Sequence, residues 1–536
     1  MQGFPLLRYG ARKGQVAVAD FAGLNQLPEI GAGELALLLD MLTDYAPALV
    51  ARSPREIVRT YDWGTQAREI FAVTGATAAI LADGVTTRLY VGGEYIGDLE
   101  ADDRLLARFG KNALFGASKQ YYNEETGALA AIEAAYTAEP GELSFAAGEL
   151  TAAGVDAAGF AAGDGVEISG CAAHPENNKT AIVRATGPNV LTFDADTFTA
   201  GTEANDAVTI RHAFPDLDGA IEHNNRLWGY KGRTIYASKL GDFKNWNVFD
   251  GLSTDSYALD TGGTGDFTGV EVCNNHPVFF KENSVYEVYG TKPANFQTVV
   301  TACPNAGAET GFARAVANVA GALFYRSWQG IMIYSGGMPQ LVSRRVPDLA
   351  QYPAIAAATD GRKYYAYCPA AAALPDRLYV YDTLTGQWAA ETMQYPFAGG
   401  IAAQGGSIVA LNDQLQELIC TNSAGTGTPE GAYAWSLTTG QLGAESAAGK
   451  YNLELFVDAA LAATETVRAY LRNEDDADFV GAGNIVNPAE TAAARRIYRL
   501  RVSLRRGKLW SIRLAGSKPG TRIHSIRWRY AEGSER

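Results

Sequence analysis

Apolar and polar residues alternate over runs of about five, turn at Gly, Asn or Asp, and alternate again, and this unit recurs along most of the chain. GATAAILADGVTTRLYVGGEYIGDL begins at Gly75 and NALFGASKQYYNEETGALAAI at Asn112. NRLWGYKGRTIYASKLGDFKNW follows at Asn225, HPVFFKENSVYEVYGTKPANFQTV at His276 and GALFYRSWQGIMIYSGGMPQLVS at Gly321. RKYYAYCPAAAALPDRLYVYDTLTGQWAAE begins at Arg362 and GSIVALNDQLQELIC at Gly406. A period of two residues predicts strands, and the turn residues between them predict hairpins. One hairpin cannot bury enough area to stand alone. Units starting every ~40–50 residues from Asn225 onward instead predict radially repeated sheets. The expected fold is all-β: a β-propeller of about seven blades, within a range of six to eight. Two ordinary β-sandwiches fit less well, because the units are too many and too evenly spaced.

The ends of the units share a plan. LGDFKNW (240–246) and YDTLTGQW (381–388) each carry an acid, a turn and a terminal Trp, whereas PANFQT (293–298) places Phe296 there with no acid. Asp242 with Trp246 could be the acid and platform of a sugar site. Because the pattern recurs and the acid drops out, a structural role is expected instead: Asp242 and Asp382 cap turns, and Trp246, Phe296 and Trp388 plug gaps between blades.

The remaining stretches break the repeat. Residues 1–70 read as a strap with one short helix over Gly33–Met41, leading into first blades at 71–135 and donating a strand to the last blade. Residues 136–215 hold four short β segments, an inserted small β-domain. Remaining blades fill 216–425, and 426–536 read as a C-terminal basic β-sandwich module.

Composition narrows the chemistry. With 47% apolar and only 19% charged residues, a well-packed globular chain is expected. Five scattered cysteines lack CxxC spacing, which argues against zinc, redox and disulfide frameworks and predicts synthesis in a reducing compartment. No apolar run approaches ~20 residues and no signal-peptide core is visible, so neither export nor a membrane anchor is expected. The five histidines show no HExxH spacing, and neither G-x-S-x-G nor a Lys-bearing phosphate loop occurs. TGGTGDFTG (261–269) is Gly-rich but reads as a loop, and Glu124–Glu125 and Asp475–Asp476–Asp478 read as turns. No catalytic residue, metal site or cofactor is expected, and the chain is expected not to be an enzyme.

Charge is uneven. The net −14 argues against nonspecific nucleic-acid binding by the whole chain, yet Thr491 to Tyr530 holds twelve Lys and Arg and no acid. Arg495, Arg499, Arg501, Arg505, Arg513, Arg522, Arg527 and Arg529 are a candidate docking face for an acidic partner; the plainer reading is a solvated strand face.

The strap GLNQLPEIGAGELALLLDMLTDYAPALVARSPRE, the hairpin NRLWGYKGRTIYASKLGDFKNW and the ending RRGKLWSIRLAGSKPGTRIHSIRWRYAEGSE resemble bacteriophage and prophage tail proteins. They are most similar to the propeller-containing nozzle, or packaged-DNA-stabilisation, proteins of short-tailed phages. The resemblance implies a virion structural protein made in the host cytoplasm and forming a homo-oligomeric ring, commonly a hexamer. Such a ring continues the DNA channel below the portal and adaptor, touches phage DNA transiently, retains the packaged genome and supports fibres or other tail proteins. Two alternatives stand beside it: a receptor- or glycan-binding tail propeller, including a glycan-cleaving one, and a cellular kelch-like scaffold suggested by YDTLTGQW.

Overall fold

The computed structural model describes residues 13–204, 207–422, 425–431 and 433–533, and these are all-β apart from short 3-10 turns. The start of the strap and parts of the TNSAGTGTPEGA loop lie outside the described residues. The chain divides into two compact units.

One unit comprises residues 61–328 and 333–339. It holds four antiparallel meanders of four strands each, covering 66–99, 105–131, 219–260 and 269–302. Their first turns explain part of the sequence. Asn224–Asn225 and Asn274–Asn275 take positive φ at both positions (50° and 56°; 49° and 62°), the conformation a two-residue hairpin of primed type demands and Asn tolerates. Successive sheets are joined by shared cores. Phe71, Ile80 and Leu89 pack with Phe115 and Tyr122; Leu114 packs with Leu227, Phe243 and Trp246; Trp228 and Tyr230 pack with Phe279 and Tyr286. Between the second and third meanders, strands from Ala134–Ala138 to Val208–His212 form two small sheets around Phe145, Leu150, Val166, Leu191 and Ile210.

The other unit comprises residues 1–60, 329–332 and 340–536. It holds a meander over 356–391 and another over 401–419, whose fourth strand is Glu56–Thr60 of the strap, antiparallel to Gln416–Ile419. In the C-terminal region Lys450–Ala460 lies between Arg496–Arg501 and Arg522–Glu532, while Trp435–Thr439, Trp510–Gly516, Thr466–Asn473 and Val480–Val486 run side by side in a second sheet. Trp435, Trp510 and Trp528 are fully buried there.

With the meander Ala317–Val319, Ala322–Ser327, Gly330–Tyr334 and Gln340–Leu341, the described residues contain seven four-stranded meanders, and the fold is propeller-like.

The strap corrects the sequence reading. The helix expected over Gly33–Met41 is instead the strand Leu35–Leu39, paired with Trp435–Thr439 and, at Leu39, with Ala390. LALLL is too short and too uniformly apolar for periodicity to separate a buried strand from a helix, and two sheet neighbours decide it. Lys13–Val18 likewise pairs along Arg522–Glu532, so the strap is a set of strands rather than irregular chain. Two arginines of LVARSPRE lock it. Arg52 reaches Asp40 (2.5 Å) and Glu430 (2.8 Å), and Arg55 reaches Glu391 (2.7 Å) and Glu430 (3.3 Å). All five side chains are at most 5% exposed. Burial alone would lower the Arg55 pKa, but Glu391 and Glu430 outweigh it and hold it raised; burial likewise opposes Glu430, whose pKa Arg55 and Arg52 hold below the ordinary 4.5.

Candidate ligand-binding site

In an antiparallel meander, the loop entering the first strand and the turn after the second lie at the same end of the sheet. In the 61–339 unit these loops and turns enclose a cavity of about 540 Å³. Its walls are residues 102–106, 216–220 and 313–314 from the entry loops and the strands they lead into, Gly116, Ala117 and Lys119 of a turn, Tyr230 and Lys231 at the end of the strand Arg226–Lys231, and Glu69 and Val270 from first strands. A second cavity of about 580 Å³ shares Asp218, Tyr230, Ala313 and Arg314 and continues along 264–268, 281–283 and 310–311.

Glu69 sits on the buried side of Gln66–Val73, just past a register shift between Ala67 and Glu69. One carboxylate oxygen accepts the Leu105 N–H (2.9 Å) and the other lies 3.5 Å from Arg314. Burial raises the Glu69 pKa above 4.5, with Arg314 the main opposing influence. Asp103, 2% exposed, accepts the N–H groups of Arg104 (2.9 Å), Ala117 (3.2 Å) and Ser118 (2.9 Å), so it fixes the entry loop to the neighbouring turn. Three other cations are matched: Arg68 by Asp102 (2.9 Å), Lys231 by Asp218 (2.7 Å) and Lys119 by Asp216. Arg104 is exposed and has no ion-pair partner among the described residues. Its pKa is lowered by desolvation from the surrounding walls and then by the neighbouring Arg314.

Tyr230 stands between the two cavities, and a Cβ on Gly219 would approach its ring to 2.8 Å, so the bare glycine makes room for it. In the second cavity Lys281 is 2% exposed, donates to the Gly262 carbonyl (3.2 Å) and lies over the Phe267 ring (4.8 Å). Burial lowers its pKa. The Gly-rich loop read from TGGTGDFTG forms this wall, with φ of 61°, 72° and 78° at Gly262, Gly263 and Gly265. Among the described residues no three His, Cys, Asp or Glu side chains converge as a metal set.

The residues singled out in the sequence lie away from these cavities. Asp242 accepts the Lys244 N–H (3.0 Å) and the Asn245 amide (2.6 Å) across its turn. Trp246, 4% exposed, meets Phe214 edge-on at 5.5 Å and donates to the Phe243 carbonyl (2.8 Å). Phe296 packs on Trp228 (4.9 Å) and Tyr257 (5.2 Å). Asp382, 1% exposed, accepts the Leu384 N–H (2.9 Å) and pairs with Arg362; Trp388 donates to the Val342 carbonyl (3.0 Å).

The basic segment is less free than its sequence suggests. Asp458 pairs with Arg495 (2.7 Å), and Glu454 takes Arg499 (2.6 Å) and Arg529 from opposite sides, lying in register between Arg501 and Arg529. Arg505 pairs with Asp476. Arg522 covers Tyr45 (4.4 Å), and Arg527 lies above Phe456 (5.7 Å). Arg513 belongs to the second C-terminal sheet, over Phe479 (4.0 Å). The eight arginines therefore do not form one continuous face.

No protein-family model matches the chain, and no curated protein matches its sequence. Among solved structures it is similar to an exo-β-1,3-galactanase of Phanerochaete chrysosporium, at 11% identity over 58% of this chain and 95% of that one, TM-score 0.22. It is similar to the phage phi92 endosialidase at 10% identity, covering 67% and 64%, TM-score 0.23. It is similar to a Bacillus subtilis glycoside hydrolase family 43 arabinoxylan arabinofuranohydrolase at 10% identity, covering 88% and 96%, TM-score 0.20. The expectation that the chain is not an enzyme is withdrawn: the similar structures are those of enzymes, at an identity and TM-score that assign this chain no activity of its own. No residue role is transferred from them.

Proposed function

We propose that this protein is a glycan-binding propeller of a phage tail, and that the adjoining cavities of the 61–339 unit are its sugar-binding groove. One observation carries this reading. The two cavities share Asp218, Tyr230, Ala313 and Arg314, and their walls set charged, hydroxyl and amide side chains beside apolar ones in about equal measure. A groove so mixed offers apolar surface to the faces of sugar rings and hydrogen-bond partners to their hydroxyls. Assignment to a phage tail rests on the resemblance of 224–246 and 505–535. The purified full chain on a glycan array is expected to bind at least one glycan class; an array with no hits overturns the reading.

Glu69 favours a cleaving form of the same reading. A carboxyl whose pKa is raised by burial, on the wall of such a groove, is suited to protonate a glycosidic oxygen. Release of reducing ends from a bound glycan, lost in Glu69→Gln, tests it.

A second reading, the tail ring that continues a DNA channel, is favoured by charge asymmetry. Residues 491–536 carry thirteen Lys and Arg against two Glu, and the rest of the chain thirty-two against fifty-seven acids. Head-to-tail contact between copies would bring these opposite charges together. Light scattering on the purified chain is expected to report a closed oligomer under this reading and a monomer without it.

A further inference from the structure

The proposed groove treats its cations unequally, and that inequality points to a ligand class. Lys119 and Lys231 face Asp216 and Asp218 and are neutralised in place. Arg104 has no such partner among the described residues, and Arg314 has only Glu69, at 3.5 Å. Both residues line the same cavity. Asp103 accepts the Arg104 N–H together with those of Ala117 and Ser118 in the neighbouring turn, so the loop presenting Arg104 is fixed before any ligand arrives. Burial of Glu69 disfavours its charged form, which weakens the one carboxylate that Arg314 has.

A planar guanidinium left open on a fixed loop is built for a carboxylate, which it meets with two parallel N–H donors. The surroundings limit what else the ligand can be. Asp266 and Glu282, which have no ion-pair partner among the described residues, line the second cavity, and they repel a chain carrying a charge on every link, such as a phosphodiester. The same carboxylates accept hydrogen bonds from neutral hydroxyls. Thr264, Thr268, Asn283 and Thr310 add hydroxyl and amide groups along the second cavity.

We propose that the groove binds an acidic oligosaccharide, with one sugar carboxylate held between Arg104 and Arg314 and the neighbouring sugar rings lying along the second cavity. This rests on the glycan-binding reading and names its ligand class.

The test uses the full chain and a panel of uronic-acid and nonulosonic-acid oligosaccharides, each paired with its carboxyl-reduced form, titrated calorimetrically at low salt. At least one acidic oligosaccharide is expected to bind tenfold or more tighter than its reduced partner. Arg104→Gln should cost about tenfold on the acidic form and leave the reduced form unchanged; Arg104 is exposed, so the melting temperature of the variant should match the parent. Equal affinity for acidic and reduced forms overturns the inference and leaves the glycan-binding reading standing. So does an unchanged acidic affinity in both Arg104→Gln and Arg314→Gln. Absence of binding to every acidic and neutral glycan overturns the glycan-binding reading, and the inference with it.

Discussion

Two clusters of arginine and carboxylate, one in each unit, differ in how completely they are closed. In the strap, Arg52 and Arg55 are shared among Asp40, Glu391 and Glu430, and every side chain is at most 5% exposed. In the cavity of the 61–339 unit, Arg314 has one carboxylate at 3.5 Å, its side chain is 35% exposed, and Arg104 has no ionic partner among the described residues. The carboxyl groups respond in opposite senses: the Glu430 pKa is held down by two arginines, whereas that of Glu69 is pushed up by burial. In the closed cluster every carboxylate is already claimed by an arginine, which holds chain segments together. The open one, kept in place by backbone bonds to Asp103, leaves Arg104 unclaimed among the described residues.

The largest expected effect breaks the closed cluster. Arg55→Met leaves Glu391 and Glu430 buried with half their counter-charge, a loss of about 3–5 kcal/mol. Denaturant unfolding of the full chain reads it. Arg104→Gln, at an exposed position, should change stability by no more than about 0.5 kcal/mol. If Arg55→Met cost as little as that, the two clusters would not differ in kind.

A smaller effect lies in pH dependence. Because the folded Glu430 pKa is below its ordinary 4.5, its contribution is fully present above about pH 4.5 and is lost as pH falls through the lower folded value. Glu430→Gln should therefore be clearly less stable than the parent at pH 7, with the gap closing as the medium is made acidic. Melting temperatures of both proteins along a pH series check this; a gap constant with pH would mean that ionisation of Glu430 contributes nothing.

The seven meanders were legible because two-residue alternation and Asn-Asn or Gly-Gly turns are local signals, written within a few residues. Leu35–Leu39 was not, because five consecutive apolar residues carry no period and the sheet partners at Ala390 and Trp435–Thr439 lie far along the chain. The carboxylate partners of the basic segment were hidden for a similar reason. Glu454 precedes Arg499 by 45 residues, outside any window in which charge balance is read by eye. The cavity was hidden in the same way, since Glu69 meets the Leu105 N–H 36 residues later and Arg314 further on still. One signal was nonetheless available: in QAREIFAV, Glu69 occupies the buried side of the strand with Ala67 and Phe71. A carboxylate on a buried strand face asks for a reason.

That residue supplies the smallest and most discriminating test. If Glu69 were a structural ion like Glu430, its removal would destabilise the protein at neutral pH, because the Leu105 N–H and Arg314 would lose a partner. Its pKa is raised, so the sign is reversed: its contribution is fully present below about pH 4.5 and is lost as pH rises through the raised folded value. Glu69→Gln keeps an oxygen for the Leu105 N–H and removes the buried charge. The variant should melt at or slightly above the parent temperature at pH 7 and show no difference at pH 4. A lower melting temperature at pH 7 would place Glu69 with the closed cluster, and the contrast between the two sites would then rest on Arg104 alone.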